Sequence, residues 1–237
     1  MKRTMMGSGA MLVCLMLAGT CLGDQAEKAA STDNLPVVNQ YVLKMIETYP
    51  TDGTHTYWWP RKGESSYDGA TTDVLYMGQC VMKGEPQGRT YCCGLTLEVF
   101  FRAMEAYNKD HGIKQIGSLT PEESGKFKHL WFCPESKSPG PNLALNEFKL
   151  GKRVENYEDA RPGDFVQIWR NSGTGHSVIF MGWVRDDKGE ITGMKYWSTQ
   201  PKTNGIGYAE ESFGGEKGLD RATTIISRPQ EPNSGGN

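Results

Sequence analysis

The 237-residue chain is expected to fold as an α+β domain, with helices in its first part and an antiparallel sheet in its last third. Three observations lead there. From Leu95 the apolar residues fall at Leu95, Val99, Phe100, Ala103, Met104 and Tyr107, one face of a 3.6-residue repeat. From Phe165 the pattern changes to short apolar runs separated by turn residues, the signature of hairpins. The length suits a single domain, taken as residues 35–228, large enough to bury a real core.

Met1 to Gly23 carries Lys2 and Arg3, an apolar run from Ala10 to Ala18 and then small residues, which reads as a secretory signal peptide and implies export to a periplasm or the exterior. The run is too short for a membrane span, so no stable membrane insertion is expected. Leu17-Ala18-Gly19-Thr20-Cys21 approaches a lipoprotein box, but Thr20 stands where a smaller residue belongs, which leaves lipid anchoring a secondary reading. Residues 24–34 are polar and Ala/Ser-rich, a flexible lead-in. The net charge of −2 includes Lys2 and Arg3; without them 24 basic residues face 28 acidic ones, and no basic footprint argues for nucleic acid. A monomer is expected.

Leu35 to Tyr49 has Val38, Tyr41, Val42, Met45 and Ile46 at helical spacing and closes at Pro50 and Asp52-Gly53. Thr51 to Gln87 is irregular, with strand-like alternation around Val74, Tyr76 and Cys80. The next helix opens at the Cys92-Cys93 pair, with Thr90 as its expected N-cap, and stops near His111-Gly112. Thr120-Pro121-Glu122-Glu123 starts a helix over Pro121 to Phe132. A short helix follows at Leu143 to Leu150. Arg161-Pro162-Gly163-Asp164 is a turn into the strand Phe165 to Trp169, and a Gly-rich loop leads to the strand His176 to Val184. Asp186-Asp187-Lys188-Gly189 turns the chain into a strand over Ile191 to Thr199, and more strand lies near Ala222 to Ile226. Pro229 to Asn237 has the composition of a disordered tail.

Four cysteines remain after the leading segment: Cys80, Cys92, Cys93 and Cys133. Export permits a disulfide, and with Cys92 kept as a free nucleophile the expected pair is Cys80 with Cys133. A zinc site using His129 and Cys133, one helical turn apart, is the alternative use, unsupported by any Cys-x-x-Cys pair. No cofactor and no metal are called for.

Cys92 falls in the first turn of its helix, where unpaired N–H groups and the positive end of the helix dipole favour a thiolate. His176, directly after a Gly-rich loop at the mouth of an apolar strand, is the best general base among the four histidines. Alternation puts His176, Val178, Phe180 and Gly182 on one face of that strand. A thiolate and an imidazole so arranged form the cysteine analogue of a Ser/His pair. The residue that orients the imidazole should come from the next strand, where Ser198 and Gln200 share a face; Gln200 has the better acceptor and longer reach. The Cys92 backbone N–H is an oxyanion donor by position. Trp58 and Trp59 each offer a flat face and an N–H to a substrate groove.

Cys92-Cys93-Gly94-Leu95 resembles the Cys-Ser-Gly-Phe/Leu motif of the NlpC/P60 branch of papain-like proteins. Pro162-Gly163-Asp164-Phe165-Val166 and Gly175-His176-Ser177-Val178-Ile179-Phe180-Met181-Gly182 resemble that family's Gly-Asp-Leu-Val and Gly-His-Val-Gly-Ile-Tyr strands. The related CHAP amidases have a similar layout. The resemblance spans Arg89 to Gln200 and departs at Tyr91, where the family commonly has aspartate, and at Cys93, where it has serine. It implies a papain-like fold with the nucleophile helix packed on the sheet, and a secreted cysteine peptidase or amidase. Such a hydrolase cleaves amide bonds, most often in cell-wall peptidoglycan peptides, with Cys92 as nucleophile and His176 as base. Gln87 is reminiscent of the oxyanion glutamine upstream of papain's cysteine. An inactive wall-binding module and an acyltransferase are the alternatives on the same fold.

Overall fold

A computed structural model describes residues 34–60 and 66–232. The expected signal peptide, the lipoprotein-like box, the lead-in up to residue 33 and the last five residues of the tail lie outside the described residues. Among the described residues the molecule has four α-helices, a two-stranded sheet and a six-stranded sheet antiparallel throughout. The α+β expectation is met.

Helix α1 (Val37–Ile46) buries Val38, Val42 and Ile46 at the spacing read from the sequence. The small hairpin β1 (Val74–Tyr76) and β2 (Gln79–Met82) follows. Helix α2 (Cys92–His111) is the longest element and is stopped by Gly112 in the left-handed region at φ 68°, a conformation that glycine adopts without steric cost. Its N-cap is Tyr91, with no side-chain capping bond. The Thr90 hydroxyl, expected to cap, donates instead to Thr199 Oγ1 at 2.8 Å and ties the helix start to the sheet. Helices α3 (Ser124–Trp131) and α4 (Pro141–Glu147) start within three residues of the expected positions.

The sheet has the order β3 (Gly151–Val154), β8 (Ile225–Pro229), β4 (Phe165–Trp169), β5 (Gly175–Arg185), β6 (Ile191–Gln200) and β7 (Gly205–Ser212). Both faces are covered. On one, Phe165, Ile179 and Trp197 join the helical core, where Phe165 meets Phe100 at 6.0 Å and Trp131 at 5.0 Å between ring centroids. On the other, Val166, Ile168, Val178, Phe180, Met194 and Tyr196 form a second cluster with Leu219 and Ile226. The partition follows strand alternation. The expected tail begins later than composition suggested. Pro229 is the last residue of β8, the Gln230 N–H donates to the Leu150 carbonyl at 2.8 Å, and Glu231 accepts from the Tyr107 hydroxyl at 3.0 Å. Backbone pairing with the β3 region holds a stretch that has few apolar residues of its own.

Asp164 joins the two ends of the described chain. Its fully buried carboxylate accepts from Asn39 Nδ2 of α1 at 2.8 Å, from the Arg161 N–H at 2.8 Å, and from Arg228 of β8 through Nε at 3.0 Å and an Nη at 2.9 Å. Among the described residues no helix is long and apolar enough to cross a membrane.

Candidate active site

The start of α2 is fixed by close backbone contacts. Trp58 N–H donates to the Thr90 carbonyl at 2.9 Å and Thr90 N–H to the Thr56 carbonyl at 2.9 Å, while Tyr91 N–H reaches the Gly69 carbonyl. A Cβ on Gly94 would overlap the Asp68 carbonyl oxygen and stand 2.6 Å from the Gly69 Cα, so only glycine lets this segment cross the helix. The first intrahelical bond runs from Leu95 N–H to Tyr91 O. With no capping side chain, the N–H groups of the first turn are directed at the Cys92 region.

Cys92 and Cys93 line a cleft of about 470 Å³ that also receives His176 and Cys133. Cys92 is 8% exposed and His176 5%. Cys92 is held well below the ordinary thiol range. The Cys93 thiol donates to it, and the charge and hydrogen bond of His176 and the Ser177 N–H add to that, together outweighing burial, which opposes ionisation. Cys93 moves up, because its proton is shared with Cys92 and because it is buried. His176 and Ser177 act on Cys92 directly, which makes Cys92 the thiolate of the pair. Cys133 is pushed up to about 12 by burial and then by the Cys92 charge, so it stays a thiol.

Compared with known proteins, the chain matches no family model, no curated protein and no solved structure.

The imidazole stands at the second residue of β5, with its ring edge-on to Tyr196 at 5.7 Å. Its Nε2 is buried without a hydrogen-bond partner, and so is Nε2 of Gln200. The β5–β6 register pairs Ile179 with Trp197. Carried three residues further it sets Gln200 opposite His176, where side chains of one face are nearest neighbours. Ser198, the alternative to Gln200, has its hydroxyl engaged with the Ser177 carbonyl at 2.8 Å. Behind Gln200 runs a polar chain with no signature in local spacing. Tyr196 Oη donates to Glu211 at 2.5 Å and lies 3.2 Å from Gln200 Oε1, and Glu211 is held by Arg170 through bonds of 2.7 and 2.5 Å.

Trp59 lines the cleft and Trp58 does not. Trp58 is partly buried, stacked on Tyr67 at 5.3 Å with the Arg89 guanidinium 3.7 Å from its ring centroid. Extended backbone sends neighbouring side chains opposite ways, so Tyr57 and Trp59 share the cleft while the residue between them packs elsewhere. Gln87 is exposed in a turn, its N–H bonded to Glu85 at 2.9 Å, and it is not among the residues lining the cleft. The upstream-glutamine expectation is therefore corrected. The polar amide at the site is Gln167, which accepts from Ser177 Oγ at 2.6 Å and donates to the Ile168 carbonyl. The expected Cys80–Cys133 disulfide is absent: all four described cysteines are free, Cys80 is exposed, and Cys133 faces the cleft. Counting thiols fixes how many can pair but not which ones meet. The zinc alternative finds no group of three or more His, Cys, Asp or Glu placed to hold a metal ion among the described residues.

Proposed function

We propose that the protein is a cysteine hydrolase of papain-like, NlpC/P60-type architecture that cleaves amide bonds through an acyl-enzyme. The observation that carries this reading is a thiolate-favouring Cys92 at an uncapped helix start, in contact with the buried His176 at the edge of an accessible cleft. A structural cysteine has no need of any of these features.

The Cys92 thiolate attacks the substrate carbonyl carbon, and the oxygen that gains charge is met by the Cys92 N–H and the positive end of α2. The C–N bond then breaks, with the His176 imidazolium giving its proton to the departing amine. Water next attacks the thioester, His176 takes its proton, and the acid product leaves as the thiolate is restored. Gln200 serves to hold the imidazole. If its two amide atoms are exchanged, which leaves its shape unaltered, Nε2 donates to Tyr196 Oη and Oε1 becomes the acceptor offered to His176 Nε2–H. Tyr196 then gives its own proton to Glu211. Peptide-like amides are the substrates, and the wall peptides implied by the resemblance are the first to try.

Labelling with iodoacetamide at pH 6, followed by peptide mapping, tests this reading. Fast alkylation confined to Cys92 that slows in His176→Ala is expected, with loss of amidase activity in Cys92→Ala and an unchanged circular dichroism spectrum. Slow alkylation of Cys92, or a fully active Cys92→Ala protein, overturns the catalytic reading and leaves a binding module.

A further inference from the structure

The walls of the cleft narrow the substrate class, an inference that rests on the acyl-enzyme reading above. Trp59 is 55% exposed, unusual for an indole, and its ring meets Tyr91 edge-on at 4.8 Å. Tyr91 in turn meets Phe132 at 5.9 Å, so an aromatic wall runs from Trp59 to Phe132, both of which line the cleft beside Cys92. Trp169 also lines the cleft, and its indole N–H is already given to the Ser138 carbonyl at 3.0 Å, so it offers a substrate only its ring. Gly175 lies against that ring: a Cβ there would stand 2.8 Å from it. Tyr57 completes the surface, its hydroxyl pushed up to about 12 by burial and then by the Cys92 charge, so it stays neutral.

The charged side chains next to these residues are occupied elsewhere. Arg170 is bonded to Glu211, Arg89 to Glu85 at 2.8 Å, and Lys128 to Asp68 at 2.9 Å. Among the described residues no lysine, arginine, aspartate or glutamate lines the cleft. A carboxylate placed against the aromatic wall would lose water and gain no partner of opposite sign from those residues, and an ammonium would gain only the ring faces, a smaller return than a paired charge. A flat or branched apolar group would gain the contact area that Trp59 and Trp169 leave open.

We infer that the acyl group transferred to Cys92 carries an uncharged aromatic or branched apolar side chain, selected by the wall of Trp59, Phe132 and Trp169. Trp59 is the specificity-determining residue, because it is the member of the wall most open to solvent.

The test uses p-nitrophenyl esters of N-acetylated Phe, Leu, Glu and Lys, with p-nitrophenol release and the mass of the acyl adduct read on the wild type, Cys92→Ala and Trp59→Ala. In the wild type the Phe and Leu esters should acylate Cys92 about tenfold or more faster than the Glu and Lys esters. Trp59→Ala should cut the Phe-to-Glu ratio by about tenfold. Cys92-dependent acylation that is equal across the four, or faster with Glu or Lys, overturns the inference and leaves the hydrolase reading standing. An unchanged Phe-to-Glu ratio in Trp59→Ala overturns the role of the indole. No acylation above the Cys92→Ala level with any ester overturns both readings together.

Discussion

Cys93 sets the acidity of its neighbour. Its thiol donates to the Cys92 thiolate, and this is the leading cause of the lowered Cys92 value. Because the value is lowered, the thiolate persists at pH values below the ordinary thiol range; removing the donor moves its appearance to higher pH. Cys93→Ala should therefore slow Cys92 alkylation at pH 6 by up to about tenfold, the worth of one hydrogen bond to a charged group, with the rate recovering as pH rises. Cys93→Ser, which keeps a donor, should stay close to wild type. A Cys93→Ala protein that labels at the wild-type rate at pH 6 would remove Cys93 from the site. Cys92 and His176 were legible because each depends on local pattern: a helix start and a strand mouth. Trp58 and Gln87 were not separable from true cleft residues without knowing which way an irregular segment turns. Phe132 and Cys133, just past the end of α3, and Trp169, at the end of β4, reach the cleft from two elements, and nothing in their spacing announces it.

The opening of α2 is the element that cannot be altered. Gly94 is required by the Asp68–Gly69 backbone that crosses it, and the same segment is fastened further along α2, where the buried Glu98 accepts from Thr71 N–H and Oγ1 at 2.7 Å each and from Arg102 at 2.8 Å. Gly94→Ala has no flexible side chain to displace, so the backbones must part. The expected cost is about 3 kcal/mol, measured by urea unfolding, with a drop in Cys92 labelling as the cleft distorts. Stability within about 0.5 kcal/mol of wild type would mean that the crossing is looser than described. The helices and the central strands were readable from periodicity and turn residues. The strands missed, β3 and β7, are the two edges of the sheet. Edge strands are short or carry charge on their open side, and Gly151-Lys152-Arg153-Val154 and Gly205 to Ser212, with two glutamates, do not look like strands by composition.

For the whole molecule the decisive facts are pairings distant in sequence. Alternation could say that β5 has two faces but not that both are buried, since the second core draws on Leu219, Phe213 and Ile226 from beyond β7. The Gly163-Asp164 turn was read as a turn into a strand; its carboxylate is a buried hub that holds α1 and β8 together. Asp164→Ala should cost about 3–5 kcal/mol, because the Arg228 charge and the Asn39 amide lose their acceptor at once. A thermal midpoint shift of only a degree or two would contradict that role. The order of the sheet has a bearing on how the chain is made. β8, the last of the described strands to leave the ribosome, is not added at an edge but closes the gap between β3 and β4. Until residues 225–229 emerge, β4 has one open side, Asp164 lacks its arginine, and the strand that carries His176 has no finished sheet behind it. Synthesis from the N-terminus thus delivers Cys92 early and the means to fix His176 last, so on the reading proposed above the two come together only once residues 225–229 are in place.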